Sequence, residues 1–251
     1  MANKMNIFLA ADYKTYTAFC PVYTPGGRLT SVEMSTHFTH PSANVAMAQE
    51  IMTPLLNDEQ RVLFLQQQIN LIEKYCDFFS SHDLNVVMNI DKPLAETLLG
   101  SEFILKKMSR IAFLKLEISE NFPDLELGRN NIFLRAMSEK FNLSLNNYGA
   151  GKTTSKAVFD DLFYRIKLDK GFIQHHIKRL SFQPFISAIL DHIKPHCQEV
   201  VVQGVDELSA LQTIRDFAFD GIQSALFPSV SEEALIHLVE PPHHLRERSL
   251  Q

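Results

Sequence analysis

The sequence predicts an α/β barrel built from repeated βα units, folded as a single domain over residues 1–240, and three observations carry that expectation. Short β-branched or apolar runs alternate with longer segments of helical period. Polar residues interrupt these runs near their C-terminal ends, where barrels of this kind carry their sites. With 251 residues and 45% hydrophobic content, the chain can bury the core of one large α/β domain.

The elements follow in order. Runs 16–23 and 29–38 read as the first two strands, and no helix lies between them, so they are expected to pair antiparallel. A long helical stretch follows over 45–81. Within it Val62, Leu65, Ile69, Ile72 and Cys76 fall at helical spacing, a core stripe or in part a partner surface. Runs 85–91, 113–120, 143–149, 165–169, 199–206 and 221–227 complete eight strands. Helices are predicted over 98–109, 130–141, 154–162, 182–193, 207–217 and 232–239. The polar, proline-led tail 241–251 is expected to fray.

Composition excludes some functions. A formal charge of −5 and a pI near 6.1 argue against a broad nucleic-acid surface, so direct DNA binding is not expected. Cys20, Cys76 and Cys197 are odd in number and irregularly spaced, the start is not leader-like, and no apolar run spans a membrane. A reduced, soluble, cytoplasmic protein is the expectation.

Seven strands carry polar interruptions at similar depth: Glu33; Asn89; Glu117 with Glu120; Asn146 with Asn147; Lys167 with Asp169; Gln203 with Asp206; and Gln223. A lone buried polar residue is ordinarily a hydrogen-bonded structural group. Seven of them on one barrel face point to a site. The Asn146-Asn147 pair has two readings. It is either a turn that uses Asn and Gly dihedrals, or a strand-end acidic motif with both acids replaced by amides. Gly151-Lys152-Thr153 imitates the end of a phosphate loop but lacks the glycine required where Asn146 stands. The His192, His196 and Cys197 set has ligand-like spacing, but Pro195 interrupts it. His175-His176 reads as a solvated helix start.

The segments Glu33-Met34-Ser35, Val87-Met88-Asn89, Leu116-Glu117-Ile118-Ser119-Glu120, Asn146-Asn147-Tyr148-Gly149-Ala150-Gly151, Ile166-Lys167-Leu168-Asp169 and Gln203-Gly204-Val205-Asp206 resemble, in order and spacing, the motifs of the EAL domain over roughly residues 16–240. The resemblance implies an EAL-type (β/α)8 TIM-like barrel with an antiparallel early strand. Active members hydrolyse cyclic-di-GMP with two metal ions clamping the phosphodiester. By the same resemblance Glu33, Asn89, Glu117, Lys167 and Gln223 match retained site positions. Asn146 and Asn147 replace two aspartates, Gln203 replaces a metal-associated glutamate, and Asp206 shortens a further glutamate. Ser35, His37 and Ser224 replace a signature leucine, a phosphate-contacting arginine and a glycine.

Charge measures the damage. Of the acids implied at positions 33, 117, 146, 147 and 203, two remain, so formal site charge goes from −5 to −2 against the +4 of two divalent ions. Without metal, five clustered carboxylates repel one another, and amides remove that penalty. The expectation is a vestigial site with no catalytic residues, metal, cofactor or cyclic-di-GMP. The resemblance extends to catalytically silent members that bind FlhD of the flagellar activator FlhD–FlhC, which implies a motility repressor working through its outer surface. The alternative is a residual phosphodiesterase or cyclic-di-GMP sensor, motivated by the retained positions.

Overall fold

Antiparallel pairing opens and closes the sheet, and parallel pairing fills it between β2 and β9. In the computed structural model, which describes residues 13–40, 45–151 and 155–246, β1 (Lys14–Tyr23) and β2 (Leu29–Thr39) run antiparallel, with Lys14 opposite Thr39 and Pro21 opposite Val32. The short link between them, turned at Gly27 with φ 88°, is too short for the crossover that parallel strands need. β2 then pairs in parallel with β4 (Asn85–Asn89). In succession follow β5 (Leu114–Ser119), β6 (Asn142–Tyr148), β7 (Arg165–Leu168), β8 (Glu199–Gln203) and β9 (Gly221–Gln223). β9 returns to β1 through Ile222 and Tyr23, which closes eight strands into a barrel.

All eight predicted strands are present, and a ninth was not foreseen. β3 (Ala46–Ala48) pairs antiparallel with the end of β2, inside the stretch expected to be helical from residue 45. One helical turn, α1 (Gln49–Met52), follows. The long helix α2 (Asp58–Lys74) starts only where Asn57 and Gln60 form a capping box, each side chain accepting from the other's backbone N–H. Leu65, Ile69 and Ile72 are buried on its inner stripe and Val62 is half-buried. Tyr75 breaks the helix, so Cys76 opens α3 (Cys76–Ser81) and is exposed rather than core.

Capping residues explain the other corrected boundaries. Asp91, two residues after β4, accepts from Leu94 N and starts α4 (Lys92–Gly100) earlier than the helical period suggested. Gly100 ends it and Ser101 caps α5 (Glu102–Met108), which splits the helix predicted over 98–109. Asn131 caps α6 (Ile132–Ser138), and α7 (Ser155–Phe159) follows β6. Thr154, the predicted start of that helix, lies outside the described residues, as do Lys152 and Thr153 of the phosphate-loop imitation. Asp169 caps α8 (Lys170–His176), which places His175 and His176 in the last turn of a helix, not at its start. α9 (Phe182–Ile193) matches its prediction, and α10 (Leu208–Ile214) is shorter than expected. Segment 232–239 is a 3-10 helix. α11 (His243–Arg246) buries Leu245 beside Gly27, and residues 247–251 of the expected tail lie outside the described residues.

The barrel interior is charged where barrels of this type are usually aliphatic. Strand alternation turns Lys115 and Glu117 of β5, Ser144 of β6, and Arg165 and Lys167 of β7 to one side, and all five are buried. Leu143 and Leu145, on the other side of β6, are buried in the hydrophobic core. At the N-terminal end, Arg165 Nε donates to Glu199 Oε2 at 2.7 Å, and Lys115 Nζ lies 3.6 Å from Glu199 Oε1 and 3.3 Å from the Tyr164 ring centroid. Burial brings the Lys115 ammonium down to about 8, against the opposing pull of Glu199. This ionic layer plugs the barrel beneath the site.

Space at one glycine fixes how tightly β8, β9 and β1 close. A Cβ on Gly221 would lie 2.6 Å from Val22 Cγ1 and 3.1 Å from Val201 Cγ2. Gly221→Ala is expected to cost about 1–3 kcal/mol by overpacking, measured by urea denaturation. Adding Val201→Ala, which opens the same space, is expected to recover part of that loss.

Candidate functional site

Lys167 stands at the centre of the C-terminal half of the barrel. Its Nζ donates to Glu33 Oε2 at 2.6 Å and to Glu117 Oε1 at 2.7 Å, joining β7 to β2 and β5 across the interior. Glu33 Oε1 accepts from Asn89 Nδ2 at 2.9 Å, and Glu33 Oε2 accepts also from Gln223 Nε2 at 2.9 Å. Glu117 Oε2 accepts from Ser144 Oγ at 2.8 Å. Each of the four carboxylate oxygens therefore has a protein donor. Six strands meet in this cluster, and every member but Ser144 was named from the sequence.

Two acids and one base leave one negative charge in a buried space, and the protons distribute accordingly. Burial alone would raise the Glu33 carboxyl, but the Lys167 ammonium, with the donors from Asn89 and Gln223, holds it down at about 2. Burial lifts Glu117 above the ordinary glutamate value; the Lys167 ammonium opposes this and the Glu33 charge adds to it. Burial works to lower Lys167, yet the two carboxylates raise it above an ordinary lysine. Cys20 lies opposite Glu33 on β1; burial first, and then the Glu33 charge, push its thiol up to about 11, so it is no thiolate at neutral pH.

The amide residues form a second cluster at the rim. Gln203 Nε2 lies 3.2 Å from both Asn146 Oδ1 and Asn147 Oδ1, and Asn146 Oδ1 also accepts from the Asn147 N–H at 2.8 Å. The backbone at the Asn146-Asn147 pair departs from regular strand geometry. The register of β6 against β7 shifts between Leu145 and Tyr148, and Asn147 sits in the left-handed region at φ 61°, a conformation Asn tolerates. The pair is thus a bulge that ends the strand, and its side chains converge with Gln203 on the site.

Other candidates fall away from this centre. Asp206 pairs with Lys170 at 2.7 Å and accepts from Gln174 Nε2 and the Ala225 N–H, so it ties α8 to the turn after β9. Asp169 serves as a helix cap. Glu120 is buried beyond the end of β5, where its charge adds to burial in raising the Tyr148 hydroxyl. His196 pairs with Asp161 at 2.8 Å on the opposite barrel end, and Cys197 donates to the Ile193 carbonyl, so these two do not form a ligand set with His192.

A cavity of about 370 Å³ opens over Asn89, Glu117, Asn146 and Asn147, walled by Gln49, Thr53, Ser119, Asn121 and Phe122. Gln49 and Ser144 are the functional neighbours that sequence reasoning missed. Gln49 Nε2 donates to the Asn89 carbonyl at 2.8 Å and reaches it only because of the unforeseen β3 fold-back. Ser144 was legible, because it lies two residues before Asn146 on the same strand face.

A pair of divalent ions does not fit these residues. The gap between the two carboxylates is filled by the Lys167 ammonium, and the remaining positions offer neutral amides engaged with one another. Among the described residues, no group of three or more His, Cys, Asp or Glu side chains is placed to hold a metal ion. The cluster holds protein elements together by charge.

Comparison with known proteins follows the same lines. A family model of the EAL domain matches residues 8–227. The anti-FlhC(2)FlhD(4) factor YdiV of Salmonella typhimurium is 33% identical over 228 residues, covering 91% of this chain and 96% of that protein. The putative anti-FlhC(2)FlhD(4) factor YdiV of Escherichia coli is 35% identical over 236 residues, covering 94% of this chain and 100% of the relative. The crystal structure of EAL-like domain protein YdiV superposes with a TM-score of 0.87 at 34% identity, over 93% of this chain and 99% of that one.

Two linkage effects of opposite sign make the central cluster testable. Glu33, held below its ordinary 4.5, contributes stability that is present above pH 4.5 and lost as pH falls through about 2. Glu117, raised above its ordinary 4.5, contributes stability that is present below that value and lost as pH rises through its raised one. Glu117→Gln is therefore expected to gain stability on the wild type between pH 5 and pH 8, while Glu33→Gln does not. Lys167→Met leaves two buried carboxylates without a cation and is expected to lose about 3–5 kcal/mol. Urea titrations of the three variants at both pH values check this.

Proposed function

The chain belongs to the EAL domain family, and from that premise we propose that it is a catalytically inactive EAL protein that binds FlhD of the FlhD–FlhC activator and represses flagellar gene expression by blocking promoter action. The observation that carries this reading is the Lys167 cluster together with its amide rim. The residues that would have to surround two metal ions are spent on one another. Relatives named anti-FlhC(2)FlhD(4) factors match over nearly the whole chain, which directs the choice of partner.

A protein partner needs surface, typically about 800 Å² on each side. The described residues present several large apolar side chains to solvent on outer helices and loops, including Phe103, Ile132, Leu180 and Ile236. No helix among the described residues is long and apolar enough to cross a membrane. We take the working compartment to be the cytoplasm, where such an activator acts, and the mode of action to be protein binding without direct contact to DNA, in keeping with the acidic chain.

The test separates surface from pocket. Asn147→Gly deletes a pocket amide and keeps the left-handed backbone that Asn147 adopts. This variant is expected to co-purify with FlhD as the wild type does, and calorimetry with cyclic-di-GMP in Mg²⁺ is expected to show no heat. Absence of FlhD binding by the wild-type protein overturns the assignment. Heat of binding, or a linear dinucleotide product at high protein concentration, favours the residual phosphodiesterase or sensor instead.

A further inference from the structure

Among the described residues, the N-terminal half of β1 has one backbone edge without a strand partner. Phe19 donates to and accepts from Val230, at 2.8 and 3.0 Å, on the side of β1 that faces away from β2. Backbone groups two residues apart on a strand share a side, so the N–H and C=O groups of Thr17 and Thr15 point the same way as those of Phe19. The close approach of Thr17 Oγ1 to Thr36 Oγ1, 2.9 Å, accords with a non-hydrogen-bonded cross-strand pair at this position. Among the described residues nothing pairs with the Thr15 and Thr17 backbone on that edge. An edge of this kind is a template for another strand.

The edge runs beside a groove. A hollow of about 400 Å³ is lined by Tyr13, Phe38, Leu56, Leu63 and Phe64, and a second of about 210 Å³ adjoins it, sharing Thr15 and Gln67. Leu63, Gln67 and Leu71, four residues apart along α2, form the wall opposite the edge, with Leu63 57% exposed. The ends differ in charge. Lys14 stands at the first hollow and Glu233 at the second, and no acidic partner to Lys14 is found among the described residues.

The geometry points to strand addition: β1 accepts an extended segment of a partner protein along Thr15 and Thr17, antiparallel to β1. Its alternate apolar side chains seat against Leu63 and Leu71, with a basic residue near Glu233 and an acidic one near Lys14. This surface is separate from the pocket and does not depend on the identity of the partner proposed above. In such recognition the main chain supplies affinity, and the alternate side chains supply selectivity.

The probe is a capped peptide of sequence Lys-Val-Thr-Val-Thr-Asp, added to the full chain. Amide exchange at Thr15 and Thr17 is expected to slow about tenfold or more, and fluorescence anisotropy is expected to report binding. N-methylation of its backbone, or exchange of its terminal charges, is expected to weaken binding about tenfold, the worth of one or two net hydrogen bonds. Leu63→Lys, at an exposed position, is expected to weaken binding with the melting temperature unchanged. Equal binding of the N-methylated peptide overturns strand addition in favour of a simple apolar contact. No change at Thr15 and Thr17 overturns it, and so does protection of those amides in the free monomer equal to that of Phe19. A dimer of the free protein that Leu63→Lys dissolves replaces the proposed partner with a second copy of the chain.

Discussion

The charge balance around Lys167 is the constraint on which the rest of this barrel depends. An ammonium and two carboxylates are costly to desolvate, and breaking such a set by removing one member is costlier than never having buried it. Glu33 and Glu117 are fixed by β2 and β5, so their charge has to be met from another strand, and Lys167 meets it from β7 at 2.6 and 2.7 Å. Ser144, Asn89 and Gln223 then take the remaining lone pairs. Charge inside the barrel thereby joins elements that are far apart in sequence. The second ionic layer of Lys115, Arg165 and Glu199 does the same at the N-terminal end.

Seen from this centre, the amides at 146, 147 and 203 are a consistent choice. Three further acids beside a cluster that already carries one uncompensated negative charge would need cations the protein does not itself supply. Neutral amides instead donate and accept within their own triad, and Asn also tolerates the left-handed backbone of the bulge at 147. With amides at these positions, the rim of the site is held by its own side chains.

Much of the fold was legible because it rests on local rules. Apolar runs located the eight barrel strands, and the absence of a helix between the first two gave their antiparallel pairing. Boundaries failed where a cap outweighed periodicity, as at Asp91 and Ser101, and where three residues, 46–48, folded back to pair with β2. Nothing in so short a segment marks it as a strand; the exposed end of β2 recruits it. Among the site residues, Asp206 was expected with the others, yet Lys170 and the Ala225 N–H hold it at the rim, because Gly204 at φ 82° turns the chain away after β8.

The sequence by itself determined the barrel, its family, and the amides that stand at its strand ends, since residue type and spacing along the chain carry that information directly. The tertiary structure alone decided what replaced the lost chemistry. That Lys167 bridges Glu33, 134 residues away, and Glu117, 50 residues away, is a statement about distance across a closed sheet. The same holds for the edge of β1, where among the described residues Val230 pairs with Phe19 and nothing pairs with Thr17 or Thr15. Alternation assigns each residue a side of its strand, but closure of the barrel decides which sides meet.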